Sequence, residues 1–295
     1  MASAALTYVL RAWRWGAFLR PLAQVPLGRL VRVTVVGFMS GLFIPRASEF
    51  VRPYLVTRSH GVATAAGFAT VVLERVVDLI TVLGLFFLYL YVLPFPAAQR
   101  PEPLSLLRAT GAGAAAVAFA ALGVLAAFHF QADRAMAVID RLLRWLPARV
   151  AAPFGRIARS FSDGLAVLKA PLPHLAWILV QSVLLWLSIA LGIWSADLAF
   201  GLDLPFRSTF LILGFLTVGV SIPTPGMVGG FHEAYLLALT QAFGVERHAA
   251  AAAGLTLHAL TNLPVLLIGL LWLSGEGLTR GKLQEITDEK AEDQR

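Results

Sequence analysis

The chain has no cysteine among its 295 residues, so neither a disulfide nor a thiolate metal site is open to it. Charge is also scarce. Asp, Glu, Lys and Arg make up 14% of the sequence, whereas an ordinary globular domain carries about 25%. No phosphate-binding glycine loop, His-Glu-x-x-His pair or nucleophile elbow occurs. No cofactor, metal site or catalytic residue is therefore expected, and the chain does not read as an enzyme. The first ten residues contain no basic stretch ahead of an apolar core and no cleavage site, which argues against a signal peptide.

What is present is apolar. Hydrophobic residues make up 58% of the chain and its mean hydropathy is +0.75. Near-uninterrupted apolar runs cover residues 76–93, 104–130, 172–202 and 248–273. Each approaches or exceeds the roughly 17 to 25 residues that a helix needs to cross about 30 Å of hydrocarbon. The expected fold is all-α, a polytopic helical membrane protein with one transmembrane domain over residues 1–275 and a charged tail over 276–295. The formal charge is +7, from 24 Lys and Arg against 17 Asp and Glu. Because the basic residues flank hydrophobic spans, they read as contacts to anionic lipid and as positive-inside markers, not as a nucleic-acid surface.

Residues 132–170 differ in kind. They interleave Arg134, Arg141, Arg144, Arg149, Arg156, Arg159 and Lys169 with apolar side chains, and Ile139, Leu142, Leu143 and Leu146 follow helical spacing. Such a segment reads as an amphipathic helix on the cytoplasmic membrane surface. Counting spans from it places the C-terminus in the cytoplasm and the protein in the cell (inner) membrane, crossing several times. Arg11 to Trp15 read as an interfacial helix, with either a first span missing or a longer chain before it.

One phrase occurs twice. Gly37-Phe38-Met39-Ser40-Gly41-Leu42-Phe43-Ile44-Pro45 returns, with one residue inserted, as Gly214-Phe215-Leu216-Thr217-Val218-Gly219-Val220-Ser221-Ile222-Pro223. An odd number of spans lies between the copies. They are expected to form two inverted, proline-broken (re-entrant) hairpins, the pattern that marks the central site of many transporters.

Polar residues cluster around the breaks. Arg46, Glu49 and Arg52 recur every third residue and would share a helix face, a row that could hold a lipid phosphate or merely neutralise itself. Glu74, Arg75 and Asp78 stand at the head of a span, either as an interfacial group or as partners for Arg46 or Arg52. Gly226, Gly229 and Gly230 follow two prolines, so regular helix should resume near Gly230 with free N–H groups beside His232 and Glu233. His232 would either titrate there or be a satisfied structural residue. His258 and Asn262, four apart, would point inward, where packing between helices is the commoner role.

Three of these elements, in order, resemble the flippase-like family typified by the transmembrane region of lysylphosphatidylglycerol synthases. They are Pro45 with Arg46, Glu49 and Arg52; Glu74, Arg75 and Asp78; and Pro223, Pro225, Gly226, Gly229, Gly230 and Glu233. The resemblance implies a stand-alone membrane domain without the synthase part, acting on a membrane lipid with a phospholipid or glycolipid headgroup. The alternative is a non-transporting membrane partner of a lipid-modifying or glycosyl-transferring enzyme, docked through residues 132–170.

Overall fold

The computed structural model of the protein describes residues 2–92 and 148–273, with scattered positions between 112 and 145. Every element among the described residues is helical. In chain order these are α1 (Ala2–Leu19), α2 (Leu27–Phe43), α3 (Ala47–His60) and α4 (Thr64–Phe87), the last extended by a wide turn over Leu88–Val92. Then come α5 (Ala148–Gly164), α6 (Leu172–Ala199), α7 (Ser208–Ser221), α8 (Gly230–Leu237) and α9 (Arg247–Leu273). The expected span over 104–130, most of the basic segment before residue 148 and the tail from residue 274 lie outside the described residues.

Of the described helices, α6 and α9 are long and apolar enough to cross a membrane. At 28 and 27 residues they reach ~40 Å at 1.5 Å per residue. α4 is 24 residues long, but it carries Glu74, Arg75 and Asp78 in its middle. This corrects the expectation that the trio heads a span. Helix begins at Thr64, because the strong helix formers Ala65, Ala66 and Ala69 propagate it upstream of the charges.

The reading of Arg11 to Trp15 as an interfacial helix is also corrected. α1 is a packed 18-residue helix whose Arg14 and Trp15 are fully buried. A charged residue can lie at its centre because carboxylates from α4 meet it there.

The packing has an internal two-fold pattern. Exchanging α1, α2, α3 and α4 for α6, α7, α8 and α9 gives every principal contact among these eight helices a counterpart. The pair α2 and α3 becomes α7 and α8, α3 with α4 becomes α8 with α9, and α2 with α9 becomes α7 with α4. The contact of α1 with α6 maps onto itself. Each half also has its own apolar core. Val82, Leu85, Phe86 and Tyr89 from the end of α4 enter the core of the second half, and Val265 from the end of α9 enters that of the first.

Glycines set the closest approaches. A Cβ on Gly219 would lie 2.3 Å from the Gly230 carbonyl oxygen, so α7 and α8 touch backbone to backbone. A Cβ on Gly67 would lie 3.0 Å from Pro53, and one on Gly254 would lie 2.9 Å from Tyr235, which places equivalent glycines at the α3–α4 and α8–α9 contacts. α5 lies against α4, with Gly164 over Ala66.

Candidate functional site

Both short hairpins break where proline removes a backbone donor. α2 stops at Phe43, and Arg46 then takes a left-handed conformation (φ 61°) before α3 starts at Ala47. α7 stops at Ser221, and a tight turn over Pro225–Met227 follows, with Gly226 at φ 60° and Met227 at φ 59°. α8 starts at Gly230.

The two breaks meet. Arg46 Nη2 donates to the Ser221 carbonyl at 3.2 Å, and the α-carbon of Gly226 faces the Leu42 carbonyl so closely that an added Cβ would be 3.5 Å from it. His258 of α9 donates from Nε2 to the Gly226 carbonyl at 2.7 Å, which ties the second break to the long helix behind it. The Gly229 N–H donates to His232 Nδ1 at 3.4 Å, so the proton of a neutral His232 sits on Nε2, a buried nitrogen with no acceptor. The two imidazoles are 4.6 Å apart. Arg46 is exposed and stands 4.0 Å from Glu49, while Glu233 is exposed in the first turn of α8. Asn262 donates to the His258 carbonyl one turn earlier in its own helix, at 2.9 Å.

Arg52 departs from the expected row. It turns inward, is 1% exposed, and pairs with Glu74 Oε2 at 2.9 Å while its guanidinium lies 4.2 Å above the Trp15 ring. The reason is steric as well as electrostatic: Gly37 on α2 leaves the space that the Arg52 stem fills.

From Glu74 the charges continue as a chain. Its other oxygen is 3.4 Å from Arg14 Nη2, Arg14 Nη1 is 2.6 Å from Asp78 Oδ1, and Asp78 Oδ2 is 3.1 Å from Arg75. Ser182 and Trp186 of α6 add bonds to Arg14 and Asp78 at 3.1 and 3.0 Å. Three guanidiniums against two carboxylates leave this chain of ion pairs with one excess positive charge. Nε and Nη2 of Arg52 have no acceptor.

Sequence reading missed Arg14, Asp197 and Tyr235. In the second half Asp197 of α6 is fully buried and accepts a hydrogen bond from the Tyr235 hydroxyl of α8. The signal for Arg14 and Asp197 was available, since Asp197 is the sole charged residue of apolar α6 and Arg14 shares apolar α1 with Arg11 alone.

A helical membrane protein with two packed four-helix halves and a polar junction between broken hairpins is the class that these features define. The family model for the lysylphosphatidylglycerol synthase TM region matches residues 1–269, and the chain belongs to that family. Neither the curated proteins nor the solved structures contain a match.

Proposed function

We propose that this protein passes a polar lipid headgroup between the leaflets of the cell membrane, without covalent chemistry, through the junction of two inverted, re-entrant hairpins. The observation that carries this reading is the meeting of the two breaks at Arg46, Ser221, Leu42 and Gly226 inside a two-fold packing scheme. Arg46 supplies a guanidinium for phosphate, and Arg52 and His232, one from each hairpin, keep buried nitrogens without an acceptor. Glu49 and Glu233, each early in the second helix of its hairpin, suit a cationic or hydroxylated second group. Glu74, Arg14 and Asp78 hold α3, α4 and α1 in register and position Arg52. In this reading α5 and the C-terminus lie in the cytoplasm.

Reconstituted vesicles test it through the movement of labelled phospholipid between leaflets. Loss of one charge-assisted hydrogen bond is worth about 1.5 to 3 kcal/mol, so Arg46→Gln should slow movement by about ten- to a hundredfold. Purified protein that moves no lipid, or an Arg46→Gln variant as fast as the parent, would reject the reading.

A further inference from the structure

A pocket of about 340 Å³ lies at the end of α2 opposite its break, between the C-terminal turns of α1, the start of α2 and the first half of α6. Its walls include the indoles of Trp13 and Trp177, which meet edge to face at 5.4 Å. Arg20 is exposed among its lining residues. Leu27, the first residue of α2, also lines it, and no side chain caps that helix. The first N–H groups of a helix have no partner within it and carry its positive end, so two sources of positive potential converge on the pocket. Gln181 lines it as well. This side chain is 1% exposed, and its Oε1 has no hydrogen-bond donor.

A buried amide oxygen without a donor is costly, and a ligand that brings one recovers that cost. The indoles suit the membrane interface, and Leu172 and Trp177 of α6 are exposed at 77% and 46%. We infer that this pocket binds a phospholipid headgroup that carries a hydrogen-bond donor beside its phosphate, with phosphate at Arg20 and the α2 N-terminus and the donor on Gln181 Oε1. An aminoethyl headgroup meets the requirement. Its trimethylated counterpart has the same charge and offers no donor. The site is separate from the hairpin junction and requires no transport.

The test is native mass spectrometry of the full chain in detergent, titrated with phosphatidylethanolamine or phosphatidylcholine of matched acyl chains. Phosphatidylethanolamine should bind about tenfold more tightly, the effect of one buried hydrogen bond met or unmet. Gln181→Leu should erase that preference and leave phosphatidylcholine binding as it was, whereas Arg20→Ala, at an exposed position, should weaken both. Free glycerophosphoethanolamine separates a lipid from a soluble phosphodiester. It should compete poorly, and competition equal to that of the lipid would overturn the lipid assignment. Equal retention of the two lipids by the parent protein, or a preference that survives Gln181→Leu, would overturn the site. Should Gln181→Leu fail to fold, the parent comparison and Arg20→Ala still decide.

Discussion

Arg14 joins three helices. It reaches Glu74 and Asp78 on α4 and Ser182 on α6 from the middle of α1, at no measurable exposure. Removing one member of a buried ion pair leaves the other charge uncompensated and costs about 3 to 5 kcal/mol. Arg14→Met should therefore lower the melting temperature in detergent steeply, and adding Asp78→Asn should recover part of the loss, which a double-mutant cycle would read as coupling. In the second half Tyr235→Phe withdraws the one side-chain donor to Asp197 among the described residues, at about 1 to 3 kcal/mol for an unmet buried acceptor. Ahead of α9, the Glu246 carboxylate accepts the His248 and Ala249 N–H groups at 2.9 Å, and these bonds hold its pKa below the usual carboxylate range. A depressed folded pKa contributes stability above the unfolded value, and that contribution is lost as pH falls through the folded value. Glu246→Ala should thus be less stable than the parent at neutral pH, with the difference closing in acid; a gap that persists at low pH contradicts the assignment.

At the scale of elements, glycine placement governs the hairpins. An added methyl at Gly219 or Gly230 would strike the opposite backbone at 2.3 Å, and backbone cannot yield as a flexible side chain can. Gly219→Ala should destabilise by about 1 to 3 kcal/mol, as overpacking does, and should expose the turn before Gly230 to protease. Gly84→Ala provides the contrast. Nothing lies within 4 Å of a Cβ there, so helix propensity alone applies and the change should be neutral or stabilising by up to about 1 kcal/mol. Element positions were largely legible: α2 and α7 stop just before Pro45 and Pro223, α8 starts at Gly230, and α6 and α9 match their apolar runs. α4 was misplaced because its charges imitated a span boundary. Their neutralisation by α1 and α3 is a long-range fact that no local pattern carries.

For the whole molecule, the two-fold exchange of helices makes topology the sharpest test of the re-entrant reading. The cysteine-free background allows single cysteines to be labelled cleanly. Gln24→Cys and Ser59→Cys flank the first hairpin, Asp203→Cys and Glu246→Cys flank the second, and all four positions are exposed. Inverted re-entrant hairpins require both members of each pair to react from one face, and the two pairs from opposite faces. Members of a pair that react from opposite faces would mean that the hairpin crosses the bilayer.

Composition, apolar run length and the repeated Gly-Phe to Pro phrase are properties of the chain itself. They were enough to determine a helical membrane protein in related halves, because the bilayer demands long apolar helices and proline interrupts them locally. Which charge meets which was decided only in three dimensions. Arg46 and Arg52 lie six residues apart, yet one reaches the opposite hairpin and the other is buried between Glu74 and Trp15. The physical reason is that a buried ion must be neutralised by whichever countercharge packing brings within reach. For Arg52 that countercharge stands on α4, in space left open by a glycine on α2.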